Sequence, residues 1–144
     1  MENGDKKKKN IQTVVGLIAG IGSLILVQHF FFNTPSYDQA MMQAASEINK
    51  SCPIMVDRET RLDNAVALPE NVFQYNYTLV NMEKATMDIE GLQNNLRPTV
   101  INFVKTNPDM KINRENKTVM AYYYKDKNGE FLFKILVTPS LYTN

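Results

Sequence analysis

The segment Asp57-Arg58-Glu59-Thr60-Arg61-Leu62-Asp63 sets three carboxylates and two guanidinium groups within one short stretch. Such a set offers a general acid and a general base, or oxygen ligands for a divalent cation. Alternation along a strand separates them: Arg61 and Asp63 share one face, Thr60 and Leu62 the other, so the pattern reads as a salt-bridged strand edge. The run Tyr122-Tyr123-Tyr124 has rings that stack sugars or peptides, yet aromatic residues are also ordinary strand formers. Cys52 is the single cysteine and His29 the single histidine. A thiol becomes a nucleophile only beside a base, and nothing after His29 supplies an imidazole, so Cys52 is expected to be a buried structural thiol rather than a nucleophile or an intermolecular bridge. The expectation is a protein that is not an enzyme, with no catalytic residue, no metal site and no cofactor.

The elements that carry these residues begin with a charge-free stretch. Residues 11–32 contain no formal charge and follow Lys6 to Lys9. As a helix this stretch reaches roughly 33 Å, enough to cross a ~30 Å hydrocarbon core. The lysines would hold residues 1–10 in the cytoplasm as a basic tail and place residues 33–144 outside it. A cleaved signal would need small residues at its exit, where this chain has Phe30-Phe31-Phe32. Gly16 and Gly20 form a G-x-x-x-G, the spacing that lets two membrane helices approach, so a homodimer through this helix is expected. The address implied is a bacterial inner membrane, with the lipid bilayer as one partner and a periplasmic or extracellular head.

The head carries twelve basic and thirteen acidic residues. A near-neutral surface of this kind excludes nucleic acid, which requires clustered cations. About 110 residues suit one domain.

Two similar halves are visible at an offset of fifty-five residues, where Lys50-Ser51-Cys52-Pro53-Ile54-Met55 falls on Lys105-Thr106-Asn107-Pro108-Asp109-Met110. Each copy follows a helical period. Ser36 and Gln39 form a capping box ahead of Tyr37, Met41, Ala44, Ala45 and Ile48, and Ile89, Leu92, Leu96, Val100 and Phe103 repeat the period. Pro98 would kink that second helix or open a new segment. Each copy precedes a hairpin: residues 60–68 and 72–80 around Pro69-Glu70-Asn71, then residues 117–125 and 130–138 around Asn128-Gly129.

The fold class expected is therefore α+β: an N-terminal transmembrane helix, then two α-β-β halves, about 36–80 and 87–138, sharing a four-stranded antiparallel sheet. Phe73, Tyr75, Tyr77, Phe131, Phe133 and Ile135 would lie beneath the helices. The open face would carry Arg61, Asp63, Gln74, Asn76, Thr78, Lys134 and Leu136, with Tyr122 and Tyr124, or else Tyr123, according to register. Mixed polar and aromatic surfaces suit protein partners.

Cys52-Pro53, Val56-Asp57, Thr60-Arg61-Leu62-Asp63 and Tyr75-Asn76-Tyr77-Thr78-Leu79 together resemble the pattern of small bacterial single-pass membrane-anchored proteins, a group that implies no particular activity. The duplicated α-β-β plan is similar in outline to PepSY and β-lactamase-inhibitor-type domains, which implies ligand or protein binding. The function expected is a membrane-anchored, extracytoplasmic protein-binding or assembly module of the bacterial envelope. The alternatives are a small-molecule or lipid-binding head and, behind it, an envelope hydrolase.

Overall fold

The computed structural model describes residues 36–143. The basic tail, the expected membrane helix with Gly16 and Gly20, and His29 lie outside the described residues. Among the described residues no helix is long and apolar enough to cross a membrane.

The first helix, α1 (Tyr37–Ser51), starts where the capping signal places it. The Ser36 hydroxyl accepts the Gln39 amide at 3.3 Å, and Lys50 stands in the last turn, where a cation complements the helix dipole. Small residues dominate its buried stripe of Ala40, Met41, Ala44 and Ala45 and let it lie close on the sheet. A cis bond joins Cys52 to Pro53. Then come β1 (Ile54–Met55), β2 (Thr60–Leu68) and β3 (Val72–Leu79). The β2–β3 turn holds Glu70 and Asn71 at positive φ, a conformation asparagine tolerates better than most side chains.

After a 3-10 turn at Lys84–Thr86, helix α2 (Ile89–Thr106) is capped by the Asp88 carboxylate, which accepts the Gly91 amide at 2.9 Å. Pro98 does not end this helix. The carbonyl one turn earlier that proline cannot serve belongs to exposed Asn94, so water can satisfy it. Leu92, Leu96, Val100, Phe103 and Val104 form the buried stripe. A 3-10 turn at Pro108–Met110 leads into α3 (Lys111–Glu115), β4 (Val119–Asp126), β5 (Phe131–Val137) and α4 (Pro139–Tyr142). Asp126 fastens the β4–β5 turn. Its Oδ1 accepts the amides of Asn128 at 2.8 Å and Glu130 at 2.9 Å, while Oδ2 accepts that of Lys84 at 2.9 Å.

The sheet differs from the expected four antiparallel strands. It has five strands in sequence order, β1-β2-β3-β4-β5, and is mixed, because β3 and β4 run parallel while the other neighbours are antiparallel. Parallel neighbours need a long crossover, and the segment between them, which contains α2, supplies it. The halves are thus hairpins joined side by side in one direction. The added strand, β1, follows the first proline copy, whereas the second copy leads into α3 and has no strand in the equivalent place.

Helix α1 packs on β2 and α2 on β5. Both contribute to one core with the inward side chains Phe73, Tyr75, Tyr77, Met120, Tyr122, Tyr124, Phe133 and Ile135. The rings form a continuous layer, with centroids 5.6 Å apart for Tyr75 and Tyr122, 5.2 Å for Tyr77 and Tyr124, and 4.8 Å for Tyr124 and Phe133. Phe131, expected in this layer, is instead 46% exposed. A register shift pairs Tyr124 with Phe133 and Lys125 with Phe131, leaving Leu132 as the extra residue and turning Phe131 to the other face.

Candidate functional site

With the long helices on one side, the opposite side of the sheet is the surface left open among the described residues. A second register shift shapes it. Leu62 pairs with Tyr77 and Asn64 with Asn76, so Asp63 is the inserted residue of β2. Arg61, Asp63 and Asn64 then all stand on the outer face. Across the sheet, Arg61 lies opposite Thr78 and Thr78 opposite Lys125; in the next row Asn64, Asn76, Tyr123 and Lys134 follow one another.

The first row is built around one carboxylate. Asp63 Oδ1 accepts from Arg61 Nε at 2.6 Å, and Oδ2 accepts from the Thr78 hydroxyl at 2.6 Å and from Lys125 Nζ at 3.2 Å. The Arg61 Nη2 reaches the Thr78 hydroxyl at 3.4 Å. Burial alone would push the Asp63 carboxyl up, but the hydrogen bonds from Thr78, Arg61 and Lys125, with the charge of Lys125, outweigh it and hold the group below the usual aspartate range.

A ladder of amides runs from Gln74 into the second row. Gln74 Nε2 donates to Asn76 Oδ1 at 2.8 Å, and Asn76 Nδ2 donates to Asn64 Oδ1 at 2.6 Å. Beside it the Tyr123 and Phe131 rings pack with centroids 5.0 Å apart.

Of the expected open-face residues, Arg61, Asp63, Gln74, Asn76, Thr78 and Lys134 therefore share this side. Thr78 is 4% exposed and lies beneath its neighbours. Tyr122 and Tyr124 do not belong to it, because the register puts both in the ring layer under the helices and Tyr123 outside. Burial pushes both buried phenols far up, and the Asp57 carboxylate adds to the effect at Tyr124. Among the described residues their hydroxyls find no hydrogen-bond partner. Residues missing from the sequence-based set are Asn64, Lys125 and Phe131. The face of Lys125 follows from alternation once Tyr123 is outward, whereas Asn64 and Phe131 depend on register shifts that leave no mark in composition.

Two carboxylates of the acidic segment, Asp57 and Asp63, are engaged in different places. Asp57 Oδ1 accepts the amides of Glu59 and Thr60, each at 2.6 Å, which makes it the cap of the turn into β2. Its influence reaches Tyr124 on the inner side, while Asp63 is engaged on the outer side. Cys52 is half-buried against the core, and burial followed by the Asp63 charge pushes its thiol up, so the protonated form is favoured. Among the described residues no three His, Cys, Asp or Glu side chains converge as metal ligands would.

A family model described as a domain of unknown function, DUF8479, matches residues 35–133. No curated protein matches the chain. Three solved structures share the fold. A protein assigned as secreted, from Pseudomonas aeruginosa, is 9% identical with a TM-score of 0.62, the likeness covering 75% of this chain and 98% of that one. The type II secretion system pilotin EpsS of Vibrio vulnificus is 8% identical with a TM-score of 0.58, over 74% of this chain and 92% of that one. The type II secretion system pilotin AspS of Vibrio cholerae is 14% identical with a TM-score of 0.52, over 72% and 90%.

The chain belongs to the DUF8479 family.

Proposed function

We propose that this member of the DUF8479 family is an accessory or assembly domain of the bacterial envelope, acting outside the cytoplasm, whose work is to bind another protein on the uncovered face of its sheet. The observation that carries the reading is the one-sided packing of α1 and α2, which leaves Arg61, Asn64, Gln74, Asn76, Tyr123, Lys125, Phe131 and Lys134 together on the other side. Preformed arrays of amides, cations and paired rings make directional contacts without reordering, which lowers the cost of association. The likeness to a secreted protein and to two pilotins is one of fold, and it supports the extracytoplasmic setting. A non-catalytic role is supported by carboxylates that serve turns and ion pairs and by a thiol held protonated.

The test is affinity purification of the tagged full-length chain from the envelope fraction of cells that make it. Asn76→Arg, which breaks the amide ladder at its centre, removes the co-purifying partner while the thermal unfolding midpoint stays within a few degrees, and Cys52→Ser retains the partner. A partner kept by Asn76→Arg, or lost with Cys52→Ser, contradicts the reading.

A further inference from the structure

The outer face is lopsided in charge. Among the described outward residues of β2 to β5, Arg61, Lys125 and Lys134 are cations and Asp63 is the one anion. That anion is already spent. Both of its oxygens are taken by Arg61, Thr78 and Lys125, and its side chain is 12% exposed while those of Arg61 and Lys125 are 40% and 34% exposed. The carboxylate lies underneath and the cations above, so solvent meets positive charge. Lys134, opposite Tyr123, makes no ion pair among the described residues. The head as a whole is nearly balanced, so the bias is a property of this face.

The amide ladder adds direction. Gln74 and Asn76 donate along it toward Asn64, which leaves the Gln74 carbonyl at one end and the Asn64 amino group at the other. An acceptor and a donor so placed match the two polar groups of a peptide backbone. The Tyr123–Phe131 ring pair stands between Lys125 and Lys134 as an apolar shelf.

We propose that this face docks an extended acidic polypeptide segment of a partner protein, its carboxylates paired with Arg61, Lys125 and Lys134 and its backbone and apolar side chains laid over the amides and the two rings. The inference rests on the protein-binding reading of the face and adds the partner's chemistry. An anionic membrane surface fits less well, because lipid headgroups are met by clusters of about four to eight cations, without amides that need directional partners. Nucleic acid would demand more phosphate-neutralising cations than three.

The experiment titrates the full-length chain against a fluorescent peptide of about ten residues, alternating Glu and Thr around a central Phe, a length that spans a sheet of this width. The same peptide with Lys for Glu and vesicles of phosphatidylglycerol are titrated beside it. The Glu peptide binds, more weakly as salt is raised, and the Lys peptide does not. Lys134→Glu weakens binding about tenfold with an unchanged unfolding midpoint, since the Lys134 ammonium makes no ion pair among the described residues and the bond from Gln93 goes to its backbone carbonyl, which the substitution keeps. Arg97→Glu, the same charge change on the exposed side of α2, leaves binding intact. Equal binding of the two peptides, equal losses for Lys134→Glu and Arg97→Glu, or binding of vesicles without the Glu peptide overturns the proposal. If the Glu peptide fails to bind while Asn76→Arg still strips the envelope partner, the acidic chemistry is wrong and protein binding on this face stands. If Asn76→Arg keeps the partner, both fall.

Discussion

A phenol sealed in a core without a hydrogen-bond partner costs stability that removal of its oxygen returns. Among the described residues Tyr122 and Tyr124 are in that position, whereas the buried Tyr142 hydroxyl donates to the Thr118 carbonyl at 2.7 Å. Tyr124→Phe is therefore expected to leave the urea unfolding free energy unchanged or raise it by about 1 kcal/mol, and Tyr142→Phe to lower it by a similar amount. Asp63 behaves in the opposite sense. Its folded carboxyl ionises below its unfolded value, so its contribution is present above the unfolded pKa of about 3.9 and is lost as pH falls through the folded value. Asp63→Asn should reduce stability at pH 7 by about 1 kcal/mol, a modest figure because the Arg61 and Lys125 head groups are solvent-screened. The same variant should show a shallower decline below about pH 4 in a series of denaturation curves. The residue types in this cluster were visible in the sequence, and so was the shared face of Arg61 and Asp63. Thr78 was placed on that face too, while Lys125 was not, and that both close on the Asp63 carboxylate depends on strand pairing that only the fold decides.

At the scale of elements, helices and hairpins follow from period and punctuation. The Ser36 cap, the stripes of α1 and α2, and the Pro69-Glu70-Asn71 turn appear where spacing puts them. Register does not follow so readily, because a strand with one inserted residue has the same composition as one without. The shift in β5 makes the sharpest test: Phe133→Ala should cost about 3 to 5 kcal/mol and Phe131→Ala less than about 1, although the two rings are alternate residues of one strand and regular alternation puts both on one face. The far edge of β2 has its own device. Asn49 of α1 donates to the Ala65 carbonyl at 2.9 Å and accepts its amide at 2.7 Å, standing in for a strand beyond the short β1. Asn49→Ala is expected to lose about 1 to 2 kcal/mol and to speed aggregation, measured by unfolding and by light scattering.

For the whole molecule, the decisive feature is the parallel joint between β3 and β4. It puts the two hairpins in a single row, and both long helices pack on one side of that row, so that no helix among the described residues covers the other side. The two long helices and the two hairpins were legible one by one, whereas β1 and α3 were not. How the halves join was not, since the side-by-side direction of β3 and β4 depends on where the crossover through α2 delivers the chain rather than on any residue within the strands. The same joint lines up Thr78 with Lys125 and Asn76 with Tyr123, so the candidate surface exists only once the fold is complete. Its proposed role as an interface is open to one direct measurement. A photo-crosslinking residue is placed at Tyr123 on the outer face or at exposed Gln43 on α1, and the full-length chain is irradiated in intact cells that make it naturally. A discrete adduct with one protein from position 123 and none from position 43 is the expected result. Adducts from position 43 alone, or none from either, would contradict the account.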